Sequence, residues 1–512
     1  MQYIISIDIG TQGTKCILFD TNMKMKADAF EVSRLISPKP GVVWQEAEEI
    51  YGSCVRTVKE VMEKSGIAAS DVCAIGIDSQ SAGIMGIAED GEASTYYDSW
   101  LDMRCGKYMH EMQEKAGKKI IEICGGPASY THGPKILWWK NEQPEAYKKT
   151  ARFVLPNGYV IGKMCGLKAE EATFTHTCIH FSNFGDNVKK EWSEELLDLF
   201  GVAKEKMARI ASSFEIAGKT TAEFGKQSGL IEGIPVVVGA GDTAAGAFGS
   251  GIVEAGMLMD TAGTASVLCC ASDEYHPDTE FETLVQMPSP IEGLWHPLAY
   301  INGGGLCIRW FRDEFTGKPA ASYDDLMAEA ENLPAGSEGI LFVPHFCGRV
   351  LPNNPYVKGS FVGLDWKHGR GHLYHAVMEG IAYEYAYYFN ILKKEHRHTR
   401  FEKLYTTGGG SKSPLFNQIK ADVLGIPVIA YEQGETALAG SAIIAGCGAG
   451  VFADYREPMK NLGKESAPIM PDMENHEKYE KYAEQYLNVI EALEPVYKSG
   501  VYEIEGEGGY ID

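Results

Sequence analysis

Val236-Val237-Val238-Gly239-Ala240-Gly241-Asp242-Thr243-Ala244-Ala245-Gly246-Ala247-Phe248-Gly249-Ser250-Gly251 is the stretch on which the reading of the fold turns. Its β-branched run reads as a buried strand, and the glycines and alanines after it let backbone and ligand approach closely. One carboxylate, Asp242, stands at the strand end. Taken alone, Asp242 ahead of Ala-rich sequence reads equally as a helix N-cap. The stretch lies near the middle of 512 residues, a length at which one core stops growing and two domains are expected. The division is placed at 1–247 and 248–512, with a ligand cleft between the halves and Gly246 to Gly251 near the hinge.

Outward from that centre, the two halves open alike. Tyr3 to Ile9 and Lys15 to Phe19 read as strands around Gly10-Thr11-Gln12-Gly13-Thr14, with Asp8 at the end of the first. Gly256 to Asp260 leads into Thr261-Ala262-Gly263-Thr264-Ala265-Ser266 and then Val267-Leu268-Cys269-Cys270, again strand, Gly/Thr tip, strand. A duplicated α/β domain with two tips facing across a cleft would give this pattern, although any tight hairpin needs a glycine tip.

Between these landmarks a third strand is expected near Ala29 to Ser33 and a helix over Ala47 to Lys64, with Ile50, Val55 and Val58 on one face. Val72 to Ile77 reads as a buried strand ending at Asp78-Ser79-Gln80-Ser81. A polar and aromatic segment, Tyr97 to Arg104, follows, and Tyr130 begins a loop that becomes a Trp-rich helix after Pro134. In the second half Asn302-Gly303-Gly304-Gly305 opens a helix, His372 to Lys394 is a long aromatic-rich one, and Leu404 to Thr407 runs into Gly408-Gly409-Gly410-Ser411-Lys412-Ser413-Pro414. Strand, glycine loop, helix is compatible with a nucleotide, as a weak signal. Tyr479, Tyr482, Tyr486, Ile490 and Leu493 form a packing stripe, and the tail Glu505 to Gly509 is expected to be mobile.

A formal charge of −23 argues against nucleic acid or an anionic membrane surface as partner, since either needs clustered Lys and Arg. Twelve cysteines without a CxxC pair read as free thiols in a reducing compartment, and the 13 histidines lack the paired spacings of a metal site. Strand-like sequence begins at Tyr3, with no basic and apolar leader and no 18-residue apolar run. A cytoplasmic protein is expected.

From about Tyr3 to Phe452 the chain resembles the FGGY family of carbohydrate kinases, in the actin, hexokinase and heat-shock ATPase superfamily. The pieces that carry the resemblance are Asp8-Ile9-Gly10-Thr11-Gln12-Gly13-Thr14-Lys15, Lys135-Ile136-Leu137-Trp138-Trp139, Gly239 to Gly246, and Gly359 to Leu364 with His372-Leu373 and Ala376 to Glu379 behind it. His132 departs from the family signature, which prefers Pro, Ser or Thr there. Within the family the chain is most similar to xylulokinases. The resemblance implies an α/β fold of two actin-like ATPase (ribonuclease H-like) domains, ATP and Mg²⁺ between the tips, and a small sugar against the N-terminal half. Asp242 then matches the catalytic base, and Asp8 the carboxylate that holds Mg²⁺ through water, an ion that prefers oxygen ligands and keeps its waters. Gly10, Thr11, Gly13, Thr14 and Lys15, with Gly263 and Thr264 opposite, match phosphate positions. Gly305, Arg309, Gly409 and Ser413 match nucleoside contacts, and Gly434 to Gly440 the segment near the adenine.

Around the sugar the resemblance implies Gln80, Ser81, Ala82, Asp102, Arg104, Tyr130, Asp242 and Thr243. Ser81-Ala82 stands where xylulokinases carry Met-His and glycerol kinases Arg-Glu, and Thr243 replaces the Asn or Gln that follows the catalytic Asp in both. A hydrogen-bonding pocket discriminates strongly, so these departures bear on the sugar and not on the chemistry. The expected activity is ATP-dependent phosphorylation of D-xylulose. Another ketose such as ribulose, a polyol such as glycerol, or a short signalling diol keeps the mechanism with a different acceptor, and a nucleotide-driven clamp without sugar chemistry is the reading from another class. A homodimer is the assembly left open.

Overall fold

The computed structural model describes residues 2–432 and 434–499, so the Glu505 to Gly509 tail lies outside the described residues. Side-chain alternation builds the first sheet. In β1 (Tyr3–Ile9), Ile5, Ile7 and Ile9 enter one apolar core while Ile4 enters another, as the period of two requires. β1 pairs antiparallel with β2 (Gly13–Asp20), and β2 with β3 (Met25–Val32). Helix α1 (Ala47–Ser65) then crosses one face, burying Ile50, Cys54, Val58 and Val61 at helical spacing and ending at Gly66 in the left-handed conformation, φ 63°. It returns the chain to β4 (Val72–Ser79), parallel to β1. After helix α2 (His132–Glu142), strands β5 (Ile216–Lys219) and β6 (Pro235–Val237) complete the order β5-β6-β4-β1-β2-β3, and the pair Ala240–Gly241 extends β4 just before helix α3 (Asp242–Gly249).

The second half repeats this arrangement. β7 (Leu258–Ala262) and β8 (Ser266–Cys270) form the second hairpin, β9 (Val285–Pro288) and β10 (Trp295–Ile301) widen it, and helix α4 (Gly304–Phe315) follows. The long helix α5 (Arg370–Glu395) leads to β11 (Leu404–Thr407), parallel to β7 as β4 is to β1. Helix α6 (Pro414–Leu424), β12 (Val428–Glu432), helix α7 (Thr436–Gly448), β13 (Lys464–Glu465) and helix α8 (Met473–Lys498) finish the half, with sheet order β9-β10-β8-β7-β11-β12-β13. Two α/β sheets of the same topology, joined through α3, are the expected duplication. Tyr479, Tyr486 and Ile490 of α8 are buried, as packing residues should be.

Helix α7 belongs to the second half in sequence but packs on the first sheet: Ser6 Oγ donates to the Leu438 carbonyl at 2.7 Å. It crosses α3 at two glycines. A β-carbon on Gly249 would lie 2.0 Å from the Thr436 oxygen, and one on Gly440 2.1 Å from the Ala245 oxygen, so only glycine permits this crossing.

Several boundaries differ from the sequence reading, three of them instructively. β3 begins at Met25, because its first residues sit on an exposed sheet edge, where burial imposes no apolar alternation. α2 begins at His132, since Pro134 in the first turn has no N–H to satisfy and does not delay the helix. Asp242 is the first helical residue, and the cap position falls to Gly241. All twelve cysteines are free thiols. Among the described residues no helix is long and apolar enough to cross a membrane.

Candidate active site

Two parallel strands place two carboxyl groups side by side. β1 and β4 run in register, so Asp8 pairs with Asp78 on the same face at the strand ends. Ser441 Oγ of α7 donates to Asp78 Oδ2 at 2.6 Å, and the Oδ1 atoms of Asp8 and Asp78 are both buried with no donor from any other residue. Burial, with Asp242 as the next contributor, raises the Asp8 carboxyl to about 7. Burial and Asp8 itself push Asp78 well above the carboxylate range. A cluster of this kind favours protons or a cation, because two adjacent carboxylates resist ionising together.

Asp242 follows at the mouth of α3. Burial raises its carboxyl, and three hydrogen bonds oppose that shift: Thr243 N at 2.7 Å, Thr243 Oγ1 at 3.2 Å and Ser81 Oγ at 3.3 Å, all to Oδ1. Thr243 therefore serves as a donor to Asp242. Gly241 is held by its own N–H on Thr177 Oγ1 at 3.0 Å, and a β-carbon there would strike Ser81 Oγ and Cys178 Sγ at 2.6 and 2.7 Å. Glycine at 241 thus lets Asp242 and Ser81 meet.

The first tip has room for nothing larger than glycine at 13, where a β-carbon would lie 2.4 Å from the Phe30 ring. The amide of Gly10 is turned inward, donating to the Gly13 carbonyl at 3.0 Å. Two hydroxyls of the tip are also engaged within the protein. Thr11 Oγ1 accepts from Trp100 Nε1 at 2.7 Å and donates to Gln80 Oε1 at 3.2 Å, and Thr14 Oγ1 pairs with Ser53 Oγ of α1 at 2.7 Å. Lys15 Nζ reaches across to Glu435, at the entry to α7, at 2.6 Å.

On the opposite half, three loops meet. A β-carbon on Gly305 would lie 1.9 Å from the Gly263 oxygen, and Leu306 N donates to the Thr264 carbonyl at 3.2 Å, which seats α4 against the second tip. Gly408, at φ 84°, brings its loop within 2.8 Å of the Ala262 oxygen by the same measure. Gly409 faces open space, Arg309 is exposed one turn into α4, and Ser413 caps α6 by accepting from Phe416 N at 3.2 Å.

The sugar-side positions divide. Gln80 is buried and fixed, donating from Nε2 to Gln45 Oε1 at 2.7 Å. Ala82 holds a left-handed backbone, φ 64°, which a residue with a β-carbon adopts at a cost. Asp102 and Arg104 are engaged with each other: Arg104 Nε donates to both Asp102 oxygens at 2.9 Å, and Val43 N donates to Oδ2 at 2.8 Å. Arg104 also donates to Tyr96 Oη at 2.6 Å and Asp98 Oδ1 at 3.2 Å, and it lies 4.2 Å over the Trp138 ring. Lys135 Nζ, fully buried, donates to the Asp102 carbonyl at 2.6 Å. The half-buried Tyr130 ring lies against Gly106, next to this group.

Comparison with known proteins fits this geometry. The N-terminal domain of the FGGY family of carbohydrate kinases matches residues 3–249, and its C-terminal domain matches residues 258–449. The chain belongs to the FGGY family. As an FGGY carbohydrate kinase it is an ATP-dependent sugar phosphotransferase, which sets aside the sugar-free clamp. Xylulose kinase of Bacillus subtilis (strain 168) is 27% identical over 496 residues, covering 96% of this chain and 97% of that protein. The crystal structure of gluconate kinase from Lactobacillus acidophilus superposes with a TM-score of 0.88 at 23% identity, covering 97% of this chain and 99% of that one. Ligand-bound xylulose kinase from the same organism gives 0.88 at 22% identity, with the same coverage.

The sequence alone gives no role to Asp78, Gln45, Thr177 or Cys178 in this FGGY kinase. One signal was present: Ile5-Ser6-Ile7-Asp8 and Ile75-Gly76-Ile77-Asp78 share a pattern of alternating isoleucines ending in aspartate.

Proposed function

We propose that this kinase phosphorylates a neutral ketose, D-xylulose first among the candidates, at the expense of MgATP. The observation that carries the reading is the pair of carboxyl sites at one strand-end layer: Asp242, held by Ser81 and Thr243, and Asp8, with a buried oxygen that no other residue donates to. In this reading Asp242 takes the proton of the sugar hydroxyl as its oxygen bonds to the γ-phosphorus and the bond to the ADP oxygen breaks. Asp8, with Asp78 beside it, has the oxygen donors and the excess negative charge that suit Mg²⁺, whose charge when bound would screen the phosphates. The Gly10 to Lys15 tip, with Gly263 and Thr264 opposite, lines the phosphate side, and Gly305, Arg309, Gly409 and Ser413 form the nucleoside side. We place the domain division at 247/248, within α3, which makes that helix the hinge.

The choice of a ketose over an aldonate such as gluconate rests on charge. The cations of the sugar side, Arg104 and Lys135, are engaged by Asp98, Asp102 and Tyr96, so a substrate carboxylate would compete with existing partners. The printed name of the Bacillus subtilis relative points the same way. A thermal-shift screen over ketopentoses, ketohexoses, polyols and gluconate tests this, followed by sugar-dependent ADP release from MgATP, because a ligand stabilises by a term that grows with its concentration over its affinity. D-xylulose or ribulose should shift the melting temperature and stimulate ADP release. A response to gluconate alone would refute the charge argument.

A further inference from the structure

The aspartate of the second hairpin is held quite differently from Asp8. Asp260 of β7 and Lys420 of α6 are both fully buried, with Lys420 Nζ donating to Asp260 Oδ2 at 2.6 Å and to Thr406 Oγ1 at 2.9 Å. Thr406 Oγ1 in turn donates to the same Oδ2 at 2.8 Å, and Tyr385 Oη of α5 donates to Oδ1 at 2.6 Å. With three donors, one of them a paired charge, this carboxylate is neutralised inside the fold.

Of the four elements that meet here, all but α5 continue into a candidate nucleotide contact. β7 carries Asp260 and runs into the Gly263-Thr264 tip; β11 carries Thr406 and runs into the Gly408 to Ser413 loop; α6 carries Lys420 and is capped by Ser413 itself. Just beyond the ion pair the two loops touch, since a β-carbon on Gly410 would lie 2.7 Å from the Ala262 side chain. A buried ion pair is poor value as stabilisation alone, because apolar residues of similar volume often do as well, but it fixes geometry closely since neither charge tolerates losing its partner.

We infer that Asp260 and Lys420 are a positioning pair for the nucleoside di- or triphosphate, setting the spacing between the second glycine tip and the Gly408 to Ser413 loop. This rests on the nucleotide reading of the site given above. The pair acts through the loops and does not itself meet the ligand.

The test is calorimetric titration of the full chain with MgADP, alongside sugar affinity and melting temperature, for Lys420→Met and for the double variant Lys420→Met/Asp260→Asn. The double variant removes both charges while Asn keeps one acceptor, for Tyr385, and turns an Nδ2 donor toward the Thr406 hydroxyl, which can accept it, so no buried charge is left unpaired as in the single variant. MgADP affinity should fall about tenfold or more in the double variant, since loosely placed contacts are costly, while its melting temperature recovers relative to Lys420→Met. Sugar affinity should stay within about twofold, as expected for a distant site. Recovery of MgADP affinity together with stability would mean a purely structural pair and would overturn the inference, as would unchanged affinity in any folded variant. Wild-type chain that binds no MgADP would remove the nucleotide reading and the inference with it.

Discussion

Asp242→Asn separates catalysis from folding with little disturbance of shape. The amide keeps an oxygen acceptor where Thr243 N, Thr243 Oγ1 and Ser81 Oγ converge at 2.7, 3.2 and 3.3 Å, so the local hydrogen bonds survive. The helix loses no cap, because Gly241 and not Asp242 occupies that position. The usual cap penalty of about 0.5–2 kcal/mol therefore does not apply. Removing a desolvated carboxylate that also raises Asp8 should leave the melting temperature unchanged or slightly higher. What the amide cannot do is accept the hydroxyl proton. General-base removal costs roughly 10²–10⁴-fold in rate, or about 2.7–5.5 kcal/mol at the barrier. Turnover by coupled ADP release and the melting temperature, read on the same preparation, should show a folded protein with kcat down by at least about 10²-fold and KM for ATP little changed. A folded variant that keeps wild-type turnover would refute the assignment of Asp242 as base.

The remaining predictions concern the carboxyl pair, the sugar pocket and the hinge. Burial and the neighbouring Asp8 hold the Asp78 carboxyl far above the ordinary carboxylate range. A raised carboxyl stabilises the fold below its unfolded pKa and loses that contribution as pH rises toward the folded one, so metal-free wild type should lose melting temperature relative to Asp78→Asn progressively as pH rises above about 4. Parallel curves for the two proteins would contradict the shared burial. Ala82→His adds a donor at a left-handed position already occupied by a residue with a β-carbon, φ 64°. It should reorder the accepted sugars in competition assays while leaving ATP affinity within about twofold, and an unchanged order would remove Ala82 from the pocket. Sugar with a non-hydrolysable ATP analogue should compact the chain in small-angle scattering, since closure excludes water from the transfer; superimposable profiles would count against closure. Gly440→Val forces a side chain into 2.1 Å of space at the α3–α7 crossing, and overpacking of this kind costs about 1–3 kcal/mol, occasionally more. A variant as stable as wild type by denaturant titration would refute the close packing of the α3–α7 crossing.

The parts of this molecule that local chemistry dictates could be read from the residues. Alternating isoleucines, a glycine tip and an aspartate near the strand end are local facts, and they gave both hairpins and the place of Asp8. What could not be read depends on register between distant segments. Lys15 and Glu435 meet across 420 positions, and Asp78 gains its meaning only because β4 lies parallel to β1 and in step with it. The sequence also suggested a likeness that the backbone removes. Asp8 and Asp260 each precede a Gly/Thr tip and look like one device used twice. In the first hairpin, however, Asp8 is one residue inside the last pair, Ile9 with Thr14, while Asp260 is two residues inside Ala262 with Ser266. With side chains alternating at every residue, that single step turns the two carboxylates to opposite faces of equivalent sheets. Asp8 faces the cleft layer with an oxygen to spare, and Asp260 faces the interior, where Lys420 neutralises it. The duplication is thereby made unequal by one residue of phase: the first hairpin turns Asp8 beside Asp78 at the strand ends, and the second turns Asp260 inward, where Lys420, Thr406 and Tyr385 hold it beneath two loops.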